Sequence, residues 1–300
     1  MPDSAQVVVI GGGCVGAGVL WDLTLRGVEA LLIEQGDLAN GATGRCHGLL
    51  HSGGRYAVTD PDSAKECIQE NYIIRRIAAH CVEDTGGFFV ELDQDDPTYT
   101  DLWVKSCQEV GIPAEEVSKE EFLATEPLAS PRVRRAFRVP DASIDPFRLV
   151  QSHVQSAEKL GGRWLTYTRV TGFLMKNSRV AGVEVQDTRT GEKKHIYCDL
   201  IVNAAGAWAD QIGSLAGIHI PIVPNKGTLL VFHHRFVNHC LNRLRPPSDG
   251  DVFVPVGSVV LLGTTSINVP APEGYTIEPE EVQKILAIGS EMIPYLKSAR

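Results

Sequence analysis

Residues 6–34 read QVVVIGGGCVGAGVLWDLTLRGVEALLIE, and this stretch decides the fold. A short apolar run, 6–10, enters a glycine-rich turn that continues into the amphipathic stretch Val19–Arg26. A second apolar run, Glu29–Ile33, follows at once and closes on Glu34. The order predicts the strand, helix and strand of a βαβ unit.

Three glycines of this turn have the spacing GxGxxG. Gly11 suits a tight turn, Gly13 lets the backbone approach a pyrophosphate, and Gly16 allows helix and strand to pack closely. The pyrophosphate is expected at the helix N-terminus, where unpaired N–H groups point outward. Glu34 stands at the end of the second strand, where an acid accepts hydrogen bonds from a ribose. The motif predicts dinucleotide binding and leaves the dinucleotide open.

Composition excludes several classes of protein. A length of 300 residues has room for two domains, and 43% hydrophobic with 22% charged residues is typical of a globular protein. The formal charge of −9, without a basic block, argues against a nucleic-acid surface. No apolar run reaches the roughly 18 residues of a spanning helix, so we expect no transmembrane segment and a cytoplasmic protein. The seven cysteines form no CxxC pair, which favours reduced thiols over disulfides or a metal site.

Residues 35–56, QGDLANGATGRCHGLLHSGGRY, form a second concentration of chemistry. The stretch has six glycines, two histidines and two arginines, with almost no apolar periodicity. Long loops in compact domains are usually functional. His47 and His51, followed by Arg55 and Tyr56, therefore indicate a site, against the alternative of polar loop residues bonded to nearby carbonyls.

Periodicity predicts the remaining elements. Helices are expected over Asp62–Ala79, Pro97–Val110, Ser118–Thr125, Phe147–Leu160 and Glu278–Tyr295. Strands are expected over Gly87–Leu92, Trp164–Thr168, Val170–Met175, Val180–Gln186, Lys194–Tyr197, Leu200–Asn203, Ile218–Val223, Thr228–His233, Val252–Val256 and Val259–Gly263. The arginine-rich run Arg132–Pro140 is interpreted as a solvated edge strand, with phosphate binding by its arginines as the alternative.

A third motif, LIVNAAGAWAD, covers residues 200–210. It places the small residues Ala204, Ala205 and Gly206 between a buried strand and a helix that begins near Trp208. Small residues there allow the backbone to approach a flat ring system.

The segments GGGCVGAGVLWDLTLRG (11–27) and ATGRCHGLLHSGGRYAVTDPDSAKECIQEN (42–71) resemble the flavin-dependent glycerol-3-phosphate dehydrogenases, most closely the A-type catalytic subunit of the anaerobic enzyme. That family belongs to the glycine oxidase and D-amino acid oxidase class. The resemblance implies FAD as the dinucleotide. It also implies an α/β fold, with a Rossmann-like FAD-binding domain formed by 1–85 and 141–215 and a mixed-sheet substrate domain formed by 86–140 and 216–300.

The same resemblance, together with the motifs, assigns the cofactor site. The residues expected to contact FAD are Gly11, Gly13, Cys14, Val15, Gly16, Glu34, Gln35, Ala42, Thr43, Arg45, His47, Gly48, Val170, Ala205, Gly206 and Trp208.

The implied reaction is oxidation of sn-glycerol 3-phosphate to dihydroxyacetone phosphate. Arg55 suits the phosphate, since a guanidinium pairs with it through two parallel bonds. Tyr56 is expected to shape the pocket, and His51 to be the base or a flavin contact, with His47 in reserve. Lys226 is either a phosphate or flavin contact or a turn lysine. The resemblance further implies a partner subunit or quinone as electron acceptor, and peripheral attachment to the inner face of the cell membrane.

Three other hypotheses remain at this point. The substrate could be a 2-hydroxy acid or an amino acid, because Arg55 suits a carboxylate equally. The chain could be an NAD-dependent Rossmann dehydrogenase, which leaves residues 41–56 unexplained, or a non-catalytic flavin-binding subunit. Family members also continue with a glycine-rich segment and a cysteine-rich domain, so we expect this chain to be a shortened form.

Overall fold

The computed structural model describes residues 2–298. Its helices are α1 (Cys14–Leu25), α2 (Pro61–Ile77), α3 (Pro97–Val110), α4 (Lys119–Thr125), α5 (Pro146–Lys159), α6 (Ala209–Ser214) and α7 (Pro279–Met292). Its strands are β1 (Val7–Ile10), β2 (Ala30–Ile33), β3 (Leu49–Leu50), β4 (Val82–Glu83), β5 (Gly87–Leu92), β6 (Glu115–Val117), β7 (Val133–Val139), β8 (Ala142–Ile144), β9 (Arg163–Leu165), β10 (Thr168–Lys176), β11 (Arg179–Asp187), β12 (Lys193–Tyr197), β13 (Leu200–Asn203), β14 (Asn225–Lys226), β15 (Leu229–Phe232), β16 (Cys240–Arg243), β17 (Val252–Val256), β18 (Val259–Gly263) and β19 (Ile267–Asn268). Single 3-10 turns cover Ala42–Arg45, Ala79–Cys81, Gly206–Trp208 and Pro294–Lys297.

The chain folds into two compact units. The first comprises residues 2–46, 146–224 and 270–272, and the second comprises 47–145, 225–269 and 273–298. The chain passes from one unit to the other after Cys46, Asp145 and Pro224, and it returns briefly to the first unit at residues 270–272.

The first unit is built on a parallel sheet with the strand order β13-β1-β2-β9. Both β1 and β2 are buried along their whole length, as expected for parallel strands covered on both faces. On one face, α1 and α5 contribute Leu20, Val150 and Val154 to the core, and on the other the antiparallel sheet β10-β11-β12 contributes Val183 and Ile196. The unit therefore has three layers.

The second unit is built on a mixed sheet with the strand order β15-β18-β17-β16-β5-β7-β6. Only β16 and β5 pair in parallel, and the other neighbours are antiparallel. One core cluster includes Phe88, Phe122, Phe253 and Ile285 of α7. Another contains Ile68 of α2 with Phe89, Trp103 of α3, Cys107 and Phe137.

The helix boundaries have local causes. At α2 the side chain of Asp60 accepts a hydrogen bond from Ser63 N at 3.1 Å, and Pro61 occupies the first turn, where its missing N–H costs nothing. At α7, Glu278 and Glu281 form a reciprocal capping box. Such caps explain why these helices begin within one or two residues of the predicted positions.

The predicted fold class is confirmed, and two element predictions are wrong. Residues 218–223 form no strand, because Pro221 lacks an N–H to donate to a ladder and Pro224 ends the run. The arginine-rich run is not an edge strand, since β7 lies between β5 and the short β6, which was not predicted. Its arginines are paired with acids, for example Arg135 with Glu116 at 2.7 Å, rather than held open for a phosphate.

Candidate active site

In the first unit, two of the predicted glycines are points of close backbone approach. Gly11 has φ +115°, and a Cβ there would lie 2.5 Å from the carbonyl oxygen of Ala204. A Cβ on Gly16 would lie 1.9 Å from the carbonyl oxygen of Gly11. At Gly13 the nearest atom to a Cβ would be Thr43 Oγ1, at 3.0 Å. Strand, turn and helix therefore touch through bare backbone.

The N-terminus of α1 lacks the usual side-chain partners. Gly13 is the N-cap and offers no capping side chain, and the first turn contains no acid. The backbone N–H of Cys14 donates to Thr43 Oγ1 at 3.1 Å, while the side chain of Val15 is 64% exposed. A 12-residue helix whose positive end has neither an acid nor an N-cap side chain fits an external anion such as a pyrophosphate.

Glu34 fixes the other side of this turn. One carboxylate oxygen accepts from Gly12 N at 2.7 Å and the other accepts from Gly36 N at 2.8 Å. Each oxygen keeps a second lone pair, so the carboxylate can still accept from ribose hydroxyls.

The turn after β13 is held by Asn203. Its Oδ1 accepts from Ala205 N at 3.2 Å and its Nδ2 donates to Ala209 O at 2.8 Å. Gly206 follows with φ +54°, is exposed, and has no atom within 4 Å of a Cβ position. Trp208 Cζ3 lies 3.5 Å from the Cβ position of Gly41, so the ring packs against the segment that carries Ala42 and Thr43.

The other predicted cofactor residues of this unit are placed as follows. The side chain of Gln35 is exposed and accepts from Arg169 Nε at 3.1 Å. Val170 is buried in the core, beside a register shift in β10 between Val170 and Gly172. Ala42 and Arg45 are exposed at either end of their 3-10 turn.

In the second unit, four predicted residues form one cluster. The rings of His47 and His51 are 5.9 Å apart, and those of His51 and Tyr56 are 5.8 Å apart. Arg55 follows in the same loop, and its guanidinium donates to the carbonyl oxygen of Ser248 at 2.9 Å. The structure thus brings together His47, His51, Arg55 and Tyr56.

The electrostatics of this cluster make both histidines neutral at neutral pH. Burial, and then the charge of Arg55, lowers the pKa of His51 to about 4. Burial, and then the charges of His51 and Arg55, lowers the pKa of His47 to about 4. His47 Nδ1 accepts from Leu49 N at 3.1 Å, which assigns its proton to Nε2. Neither ring nitrogen of His51 has a hydrogen-bond partner among residues 2–298, so His51 has a lone pair to offer.

Close packing holds the loop that carries the cluster. Gly48 has φ +67° and lies against the carbonyl oxygen of Ile144, 2.6 Å from a Cβ position. Gly54 lies against Phe89 and Trp103, and its carbonyl oxygen accepts from Trp103 Nε1 at 2.7 Å. The glycines at these positions are needed because neighbouring backbone and core side chains occupy the space.

Lys226 is occupied within the second unit. Its ammonium donates to Glu281 at 2.6 Å and to the carbonyl oxygen of Thr276 at 3.0 Å. Hydrogen bonding from Lys226 lowers the pKa of Glu281 to about 2, so this carboxylate is ionised at neutral pH. This geometry favours the turn-lysine interpretation.

A family described as FAD dependent oxidoreductase matches residues 6–300. The chain belongs to this family. The FAD-dependent oxidoreductases use FAD, and the first unit has a glycine turn, a helix N-terminus and an acid that suit this cofactor. The resemblance inferred from the motifs is confirmed.

Individual relatives agree with the family. The chain is 46% identical, over 309 residues, to the A1 subunit of the anaerobic glycerol-3-phosphate dehydrogenase of Haloferax volcanii, in a match that covers 100% of this chain and 53% of the relative. It is 42% identical to the corresponding polypeptide of the Escherichia coli enzyme, over 99% of this chain and 55% of the relative. The chain therefore spans about half the length of the curated relatives it matches. In fold it is similar to L-proline dehydrogenase from P. horikoshii, with a TM-score of 0.85, 24% identity, and coverage of 99% of this chain and 79% of the other.

Sequence reasoning missed the residues that support the cluster of this FAD-dependent oxidoreductase. Ser248 holds Arg55, and Asn71 and Asp141 hold the backbone around His51. Asn71 lies inside a segment that resembles the family, but a buried amide in a helix has no local signature.

Along residues 2–298, none of the helices is long and apolar enough to cross a membrane.

Proposed function

We propose that this chain oxidises sn-glycerol 3-phosphate to dihydroxyacetone phosphate with FAD as the cofactor. The observation that carries the proposal is the cluster in the second unit, where a neutral imidazole and a guanidinium are four residues apart in one rigid loop. The names of the relatives agree with this substrate, and those relatives are about twice as long as this chain.

The first unit would hold FAD through three groups of atoms. The N–H groups at the start of α1 would hold the pyrophosphate, since the N-cap Gly13 has no side chain to cap them and only Cys14 N donates to a side chain, that of Thr43. Glu34 would accept from the ribose, and the exposed turn at Gly206 leaves its backbone open to a flat ring. Bound FAD supplies the hydride acceptor for the carbon that is oxidised.

His51 would take the proton of the C2 hydroxyl group. It is unprotonated at neutral pH because its pKa is about 4, so it is ready to accept a proton, although such a low value makes it a weak base. Arg55 contributes to that low pKa. When a dianionic phosphate pairs with the guanidinium, this repulsion of the imidazolium decreases, and the pKa of His51 rises toward the range of an efficient base.

Arg55 would bind the phosphate. One of its N–H groups donates to Ser248 O at 2.9 Å, which fixes the plane of the guanidinium and leaves further donors for an anion. His47, with its proton on Nε2, would donate a hydrogen bond to a substrate oxygen, and Tyr56, which is 36% exposed, would line the same pocket.

The electron acceptor and the location are further parts of the proposal. Relatives are described as subunits, which supports transfer of electrons to a partner subunit, with a quinone pool as the alternative. A cytoplasmic protein attached peripherally to the inner face of the cell membrane would suit either acceptor.

A second candidate is oxidation of a 2-hydroxy acid or an amino acid. Arg55 favours it to the same degree, because a guanidinium pairs with a carboxylate in the geometry it uses for phosphate.

A substrate panel with dye reduction separates the two candidates. The FAD-loaded protein is assayed with sn-glycerol 3-phosphate, glycerol, lactate and glycine. We expect activity with glycerol 3-phosphate alone, and a fall in kcat/KM of about 10- to 100-fold in Arg55→Gln, the loss of a charged hydrogen bond. Arg76→Gln, at an exposed site on α2, is the matched control and should behave as wild type. Activity on lactate or glycine alone would refute the proposal, and bound FAD without any activity would indicate a non-catalytic protein.

A further inference from the structure

Asn71 of α2 is a buried amide that contacts the backbone beneath His51. Its side chain is 0% exposed, and its Nδ2 lies 3.1 Å from Leu50 O, 3.1 Å from His51 O and 2.9 Å from Pro140 O. These carbonyls can only accept, so the amide nitrogen must face them.

The orientation of this amide is fixed from its other side. Asn71 Oδ1 accepts from Arg75 Nε at 2.8 Å, one helical turn later. The guanidinium of Arg75 also donates to Pro140 O and Asp141 O, each at 3.0 Å. Both ends of the amide are therefore occupied, which allows one orientation.

A second buried side chain holds the next residue of the loop. Asp141 is 1% exposed, and its Oδ1 accepts from Ser52 N at 2.6 Å. Its Oδ2 accepts from Asn242 Nδ2 at 3.0 Å. The peptide groups before and after His51 are thus fixed from two directions, by α2 and by the segment that follows β7.

This position of the chain needs such support. Strand β3 ends at Leu50, so from His51 onward no sheet ladder sets the direction of the carbonyl groups. The side chain of His51 leaves the backbone between the two peptide groups that Asn71 and Asp141 hold. Rotation of either peptide would swing the imidazole away from His47, Arg55 and Tyr56.

We propose that Asn71 is a positioning residue that aims the imidazole of His51 into the cluster. This inference rests on the proposed function only in its claim that the aimed imidazole serves the substrate. Asp141 completes the arrangement by holding the following peptide group.

The position of His51 can be read from its own titration. The charged and titratable groups that face it are His47, Arg55 and Tyr56. If the peptide groups relax, the imidazole becomes more hydrated and moves relative to Arg55. Its pKa should then rise from about 4 toward the ordinary 6.5.

The test compares Asn71→Ala and Asn71→Leu with Ile68→Ala. Asn71→Leu keeps the approximate shape of the side chain, removes both donors and adds no charge that would itself shift the pKa of His51. Ile68, 4% exposed on the same helix, is the matched control, because its truncation weakens α2 in the core cluster with Trp103 and leaves the Asn71 side chain unchanged. Histidine resonances of the folded, FAD-loaded protein are titrated by NMR, and His51 is assigned with His51→Gln.

We expect His51 to titrate at least about one pKa unit higher in both Asn71 variants and as in wild type in Ile68→Ala. With glycerol 3-phosphate, kcat should fall about 10-fold in the Asn71 variants, with a smaller change in KM. The inference is overturned if a folded Asn71 variant titrates as wild type, or if Ile68→Ala shifts His51 equally. If Asn71→Ala does not fold, Asn71→Leu decides. A wild-type flavin that glycerol 3-phosphate fails to reduce contradicts the proposed function, and the titration still decides the positioning role.

Discussion

Substitution by alanine should change the free energy of unfolding in opposite directions at Gly16 and Gly18, two glycines of α1. A Cβ at Gly16 would lie 1.9 Å from the carbonyl oxygen of Gly11, whereas ordinary contact begins near 3.4 Å, so turn and helix must separate by about 1.5 Å. The turn cannot simply withdraw, because a Cβ position on Gly11 already lies 2.5 Å from Ala204 O. At Gly18 no atom lies within 4 Å of the Cβ position.

The magnitudes follow from overpacking and helix propensity. Forcing a methyl group into a packed site costs about 1–3 kcal/mol, and replacing a helical glycine with alanine returns about 0.5–1 kcal/mol. At Gly16 the contact is with backbone, so the overpacking cost lies at the upper end, about 3 kcal/mol, and Gly16→Ala should lower the free energy of unfolding by about 2 kcal/mol. Gly18→Ala should raise it by about 0.5–1 kcal/mol. Because Gly16→Ala also moves the N–H groups proposed to hold the pyrophosphate, the Kd for FAD should rise at least about 10-fold.

The assay is urea unfolding of the FAD-free protein together with fluorescence titration of FAD for wild type and both variants. Gly18→Ala serves as the matched control, since it adds the same methyl group to the same helix. The reasoning is refuted if Gly16→Ala unfolds at the wild-type urea concentration, or if it binds FAD with the wild-type Kd.

Three further perturbations test other parts of the molecule. Burial first, then Arg55, lowers the pKa of His51 to about 4. Once the second ionisation of the free substrate phosphate, at about pH 6, is divided out, kcat/KM should stay level from roughly pH 5 to 8 and fall only as the pH nears 4. The pKa of His51 is about 4 in the folded state and 6.5 in the unfolded chain, so the folded state binds fewer protons between these two values. The free energy of unfolding should therefore fall as the pH is lowered from 6.5 to 4, and urea unfolding at several pH values measures this. Cys14 and Cys46 are exposed, and a thiol reagent followed by mass spectrometry should label them first in the native protein, with FAD slowing Cys14. Phe253→Ala, at a fully buried site, should cost about 3–5 kcal/mol in unfolding free energy, whereas Val231→Ala, at a site 65% exposed on the same sheet, should be near neutral.

Local signals explain what the sequence predicted well. The glycine turn, the starts of α2 and α7, and the strands β10 and β11 each depend on residues within a few positions of one another. The predicted helix Phe147–Leu160 is observed as Pro146–Lys159 for the same reason, since proline is accepted at the first helical position. The histidine and arginine cluster was also local, because its four members lie within residues 47–56.

What the sequence did not predict depends on distant partners. Strand β6 has only three residues, and it forms because β7 offers an open edge to pair with. Asn71 reaches Pro140 across 69 positions of sequence and Ser52 reaches Asp141 across 89, and no periodicity reports such pairs. The run at residues 218–223 had the apolar composition of a strand, but Pro221 removes one of its donors.

The central claim, proposed above, is that this chain oxidises glycerol 3-phosphate with FAD as the cofactor. The most direct measurement is the absorbance spectrum of the FAD-loaded protein before and after one equivalent of sn-glycerol 3-phosphate without oxygen. We predict that the flavin band is bleached and dihydroxyacetone phosphate is formed, with no bleaching by glycerol. The claim would be contradicted if glycerol 3-phosphate left the flavin band unchanged while dithionite still reduced the same flavin.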